Sequence, residues 1–181
     1  MVVMAKVGLY ENESFRARWL RDMARLLRGV SADGLATMGE WVVEWHLWPA
    51  RRQGALDLFA DAIRDARTRH PETEVILATG AYQQVGDAFA RRVGADGALG
   101  TPLELREGVA TGRLAAPMQS GEEKAAAILT RAAGGELLAA FGDSASDIPL
   151  LGLASRAVAI APDPILRRAA VARGWEIVEA L

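Results

Sequence analysis

The chain has 181 residues, 51% of them apolar, with 21 basic against 23 acidic side chains and a formal net charge of -2. This length predicts one domain, at most with a small insertion, and the apolar share is enough for a real core. The near balance of charge excludes a bulk nucleic-acid binder, the absence of cysteine excludes disulfides and thiolate metal sites, and no stretch reaches the ~20 apolar residues of a membrane span.

The opening "MVVMAKVGLY" lacks the basic start and cleavage site of a signal peptide, so the expected setting is the cytoplasm. Residues 12–48 predict two helices. Phe15, Trp19, Met23, Leu26 and Leu27 recur at helical spacing, and Leu35, Met38, Trp41, Trp45 and Trp48 do so after a Ser31 cap. The clustered tryptophans are expected to form a helical core. Arg16, Arg18, Arg21, Arg25 and Arg28 make a basic helix face, expected to be solvated. Pro49 suits the first turn of a third helix running to Arg69, with Arg51–Gln53 as its solvated start.

The pattern then changes. "EVILAT" (Glu74–Thr79), bounded by Pro71 and Gly80, predicts a strand buried on both faces. A helix capped by Gly94 follows, then a strand and a hairpin turning at Glu107-Gly108. "GEEKAAAILTRAA" predicts a helix and "ELLAAF" a buried strand; "RAVAIA", "DPILRRAAVARG" and "WEIVEA" predict strand, helix and strand. Strands alternating with helices imply a parallel sheet covered on both faces. The expected organisation is a helical segment over 1–50 and an α/β core over 51–181.

Ligands of open α/β sheets bind at the carboxyl ends of the strands. Thr79 and Gly80 end one predicted strand, Asp143 follows another, and Lys124 opens the helix between them. A hydroxyl and a glycine N–H can donate to a phosphoryl oxygen, the latter helped by the positive end of a following helix. Lys124 supplies a compact cation. Asp143 offers the hard oxygen that Mg²⁺ prefers, and Asp147, one turn on, can hold a metal-bound water or orient the loop. Each residue alone is ordinary: a strand end, a solvated lysine, a helix cap and a first-turn acid. As an ordered set at strand ends they point to a phosphate site. His46 and His70 have no metal-ligand spacing.

"ILATGAY", "GEEKAAAI" and "GDSASDIPLL" together resemble the second, third and fourth motifs of the haloacid dehalogenase superfamily, in its phosphoserine-phosphatase-like branch. "GTPLE…G..TGRL" and the tail "APDPILRRAAVARGWEIVE" extend the resemblance from about Arg51 to the end. It implies a Rossmann-like parallel core with an α-helical cap, and an Mg²⁺-dependent phosphomonoester hydrolase working through an aspartyl-phosphate on a small phosphorylated substrate. By resemblance Thr79 and Lys124 are catalytic, Thr79, Gly80 and Lys124 bind phosphate, and Asp143 and Asp147 serve the metal.

The family's first motif, Asp-x-Asp-x-Thr at the end of the first strand, has no counterpart. Glu11 and Glu13 have the spacing but follow no buried run, and Asp57, Asp61 and Asp65 have helical spacing. The chain is therefore expected to be inactive alone, its core to lack the first strand, and its sheet to offer free edges through which copies associate. A coding start placed too late, with the motif encoded in frame upstream, is the favoured explanation. A non-catalytic homologue that binds phosphate or a partner is the alternative.

Overall fold

The computed structural model describes residues 13–179. In chain order its elements are α1 (Glu13–Leu26), α2 (Ala32–Val42), α3 (Gln53–Arg69), β1 (Ile76–Tyr82), α4 (Gln83–Val93), β2 (Gly97–Thr101), β3 (Leu103–Arg106), β4 (Val109–Leu114), α5 (Gly121–Ala132), β5 (Ala139–Gly142), α6 (Ile148–Leu151), β6 (Arg156–Ile160), α7 (Pro164–Arg173) and β7 (Glu176–Val178). They group into two compact bodies: residues 13–50 with Ile76–Gln119, and Arg51–Val75 with 120–179. Among the described residues the strands make three sheets: a parallel β1–β2 pair, an antiparallel β3–β4 hairpin, and a parallel β5–β6–β7 trio.

In the first body α2 begins at Ser31, whose hydroxyl accepts from the Gly34 amide at 3.1 Å, as a cap should. α4 ends at left-handed Gly94. The hairpin turns through Glu107 (φ 51°) and Gly108 (φ 76°), the paired positive angles of a type I′ turn. Ala24, Leu35, Leu103 and Ala110 form a buried cluster joined by Leu27, Val30, Tyr82 and Leu114. The Tyr82 hydroxyl donates to the Leu20 carbonyl at 2.6 Å, and burial pushes its pKa up to about 12.

Two expectations need correction here. The tryptophans do not form the core: Trp19, Trp41 and Trp45 are more than half exposed, while Leu20, Ala24, Leu35 and Gly39 turn inward. Small residues on the inward stripe allow neighbouring backbone to approach, so the bulky stripe beside it faces out. Trp48 lies 6.3 Å from the Phe89 ring and beneath Arg92, and Trp41 meets the His46 ring edge-on at 4.8 Å. Nor does β1 stop at Thr79: it continues to Tyr82, with irregular pairing to β2 after Ala78.

In the second body β5, β6 and β7 run parallel, pairing Phe141 with Val158 and Ala159 with Ile177. Val158, Leu151 and Leu166 are fully buried. α3 sends Phe59 edge-on to Phe141, with ring centroids 5.9 Å apart, and Asp163 caps α7 through the Ile165 and Leu166 amides at 2.9 and 2.7 Å. Among the described residues β1 pairs with β2 alone and β5 with β6 alone.

The approach of α2 to α4 is testable. A Cβ on Gly39 would lie 2.5 Å from the Gln84 carbonyl oxygen. In an exposed helix Gly→Ala gains up to ~1 kcal/mol. Here Gly39→Ala should instead cost about 1–3 kcal/mol by overpacking, read as a lower urea midpoint.

Candidate functional site

Lys124, Asp143 and Asp147 come together in the second body. β5 ends at Gly142, and glycine is required there because a Cβ would lie 2.5 Å from the Asp147 Cβ. That closeness lets the 145–147 turn fold back beneath the strand end. Asp147 is fully buried, and both its oxygens are engaged. Oδ1 accepts from Lys124 Nζ at 2.5 Å, with Lys124 itself 3% exposed. Oδ2 accepts from the Asp143 and Ser144 amides at 3.1 and 3.2 Å and from the Ser144 hydroxyl at 3.1 Å. A buried ion pair holds only when further hydrogen bonds satisfy the remaining lone pairs, and these do so.

Asp143 is treated differently. Its carboxylate, 16% exposed, meets one cation loosely: Arg52 lies 3.8 Å away, beyond hydrogen-bond reach. Burial, then the Asp147 charge, push its pKa up to about 6, against the pull of Arg52 and Lys124. Nearby Asp163 is occupied, accepting from the Ala145 amide at 2.7 Å as well as capping α7. Of the two acids expected to serve a metal, Asp143 thus has open oxygens and Asp147 has none. Mg²⁺ usually takes one or two protein carboxylates and fills its shell with water and substrate oxygens, so Asp143 fits that role as a single ligand. No group of three or more His, Cys, Asp or Glu able to hold a metal occurs among the described residues.

Thr79 and Gly80 belong to the first body. Thr79 is buried, and its hydroxyl oxygen accepts from the Ala81 amide at 3.2 Å. The Gly80 carbonyl accepts from the fully buried Thr101 hydroxyl at 2.9 Å; Thr101 in turn accepts from the Gln119 amide at 3.1 Å. The next helix, α4, begins at Gln83. The positive helix end expected directly behind Gly80 is therefore three residues further on.

Two residues escaped the sequence reading. Arg52, expected as part of a solvated helix start, is the cation beside Asp143. Ser120, 3% exposed at the start of α5, has a buried hydroxyl with no protein partner among the described residues. Neither sits in a motif; the only sequence signal was an arginine directly ahead of a helix and a serine at an N-cap.

A parallel α/β body in which a lysine and a buried acid lock together beside an open acid gives the class by its build: an α/β protein with a charged cluster at the end of β5. Residues 2–152 match the haloacid dehalogenase-like hydrolase family, and the chain belongs to it. The chain is 34% identical over 173 residues to phosphoserine phosphatase SerB1 of Mycobacterium tuberculosis, covering 92% of this chain and 54% of that protein. It is 33% identical over 150 residues to a phosphoserine phosphatase of Halobacterium salinarum, covering 80% and 65%. The chain thus spans about half the length of the Mycobacterium relative. In fold it is similar to a Bordetella pertussis protein of unknown function, with a TM-score of 0.77 at 24% identity over 98% of this chain and 88% of that one. It is also similar to a phosphoserine phosphatase in apo form, with a TM-score of 0.57 at 18% identity over 93% and 77%. The fold is α/β and haloacid dehalogenase-like, mixing helices with parallel strands.

Two outcomes follow from the electrostatics. Lys124→Met would leave Asp147 charged, buried and without its cation, at a cost of about 3–5 kcal/mol, measurable by urea denaturation. Asp143 works in the opposite sense. Its folded pKa of about 6 lies above the ordinary 3.8, so its ionisation opposes folding. That penalty is absent below pH 3.8, grows between the two values and is complete above 6. Asp143→Asn should therefore be more stable than the parent at pH 7.5, on the order of 2–3 kcal/mol. Thermal unfolding across pH should show the gain vanish towards pH 4.

Proposed function

We propose that the chain carries the phosphate- and metal-handling residues of an Mg²⁺-dependent phosphomonoester hydrolase, with the attacking aspartate absent from its sequence. The observation that carries this reading is the contrast between Asp147, locked to Lys124, and Asp143, left open beside it, in a chain of this family. The Lys124 ammonium offsets phosphoryl charge and, fixed by Asp147, needs no reorganisation to do so. Asp143 is the carboxylate for Mg²⁺; the ion would add charge neutralisation at the phosphoryl oxygens. Asp147 positions Lys124 and the 143–144 amides. Thr79 and Gly80 donate to phosphate through a hydroxyl and a backbone N–H, and Ser120 has a spare hydroxyl for the same use.

We further propose a small phosphorylated substrate in the cytoplasm, a phosphoamino acid being the class suggested by the names of the relatives. Residues 1–50 are proposed as cap and 51–181 as core lacking the first strand, with copies associating through the sheet edges. The attacking group would form an aspartyl-phosphate that water then opens, splitting one hard step into two. No Asp-x-Asp-x-Thr occurs in the 181 residues, and this same observation favours a second reading, a homologue that binds phosphate without turning it over.

The expected result is phosphate binding without catalysis. With Mg²⁺ present, the 181-residue chain should bind inorganic phosphate, seen as a thermal shift, and hydrolyse p-nitrophenyl phosphate no faster than buffer. Thr79→Val, which keeps shape and removes one donor, should weaken phosphate binding roughly 3–10-fold. Robust turnover by this chain would overturn the missing nucleophile. Unchanged affinity in Thr79→Val would remove Thr79 from the phosphate-binding set.

A further inference from the structure

We propose that Arg52 competes with a divalent cation for the Asp143 carboxylate, acting as a built-in counter-cation that sets the affinity of the metal position. The proposal rests on the reading of Asp143 as the metal carboxylate.

The geometry distinguishes two kinds of ion pair in one small region. Lys124 and Asp147 meet at 2.5 Å with both side chains out of water. Arg52 and Asp143 meet at 3.8 Å with side chains 32% and 16% exposed. At that distance Coulomb attraction holds the second pair and no hydrogen bond does. Separating it therefore costs little, and the exposed side of Arg52 gives the guanidinium water to move into.

The backbone leaves that freedom intact. Arg52 is the residue before α3, extended at φ -89° and ψ 102°, and its side chain does not cap the helix. Lys124 could not play this part, because its ammonium is held by Asp147 in a fully buried position.

A guanidinium cannot step aside by losing its proton, since it stays charged at any pH a protein survives. A divalent cation arriving at Asp143 therefore faces a full positive charge within a few ångströms, and Arg52 must swing away. Two positive partners cannot share one carboxylate without repulsion. Removing the guanidinium charge removes that competition, so metal binding should tighten. An arginine that merely supported the loop would give the opposite result.

The experiment is Mn²⁺ binding to the 181-residue chain at pH 8, read by electron paramagnetic resonance of the free ion, for the parent, Arg52→Gln, Arg52→Lys and Asp143→Asn. Arg52→Gln should bind Mn²⁺ roughly 3–10-fold more tightly than the parent, most clearly at low salt. Arg52→Lys keeps the charge and should stay near the parent. Equal or weaker binding by Arg52→Gln, alongside loss of binding in Asp143→Asn, overturns the competition and leaves the metal reading standing. Parent-like binding in Asp143→Asn overturns the metal reading, and the competition with it. The same holds if neither the parent nor Arg52→Gln binds at millimolar Mn²⁺ while circular dichroism shows both folded.

Discussion

The buried contact between Lys124 and Asp147 is the constraint on which the arrangement at the end of β5 rests. Neither charge is affordable alone in the interior: each loses water, and only the partner with added hydrogen bonds compensates. Satisfying Asp147 therefore dictates the local backbone. The 143 and 144 amides must point at it, Ser144 must turn its hydroxyl to it, and Gly142 must lack a side chain so that it can lie underneath. One electrostatic requirement thus fixes a lysine, a glycine and a turn in a single arrangement.

The first body uses neutral groups for a comparable task. Thr101 donates to the Gly80 carbonyl and accepts from the Gln119 amide, which ties three chain segments at one hydroxyl. Gln83 does likewise, donating to the Ala98 carbonyl at 3.0 Å and accepting from the Gly100 amide at 2.7 Å. Such side chains replace ladder bonds where β1 and β2 lose regular register after Ala78. Buried backbone groups need partners wherever strand geometry stops supplying them.

How much of this was legible depended on the type of signal. Turn and cap chemistry was readable because it is local: Ser31, Gly94 and Glu107-Gly108 need only their neighbours to specify what they do. The Lys124, Asp143 and Asp147 group was readable as an ordered set at strand ends, and the structure brings those three together. The direction of the helical stripes was not. Periodicity reveals that Phe15, Trp19 and Leu26 share a face, yet the inward face belongs to Leu20 and Ala24, and alanine or glycine adds little to a hydrophobic pattern. Gly80 looked like a strand end because glycine often is one; here the strand passes through it. Arg52 was illegible because its meaning lies in a carboxylate ninety-one residues away in sequence, as the numbering of the pair shows.

Asp143 draws these strands together. Its main chain is pinned on both sides, the amide donating to Asp147 and the carbonyl accepting from the Asp163 amide at 2.9 Å. The loop therefore cannot relieve the buried charge by carrying the carboxylate out to water. Three remedies remain in physical terms: a proton, the nearby guanidinium, or a metal ion. The proton is lost above about pH 6, and the guanidinium stands too far off for a hydrogen bond. On the proposed metal reading, a small, hard, doubly charged ion would meet the need, because it would bring both charge and a hydration shell to the open side of the site. The rigidity supplied by Lys124 and Asp147 is what keeps Asp143 from finding an easier solution, so the satisfaction of one acid maintains the unmet charge of the other.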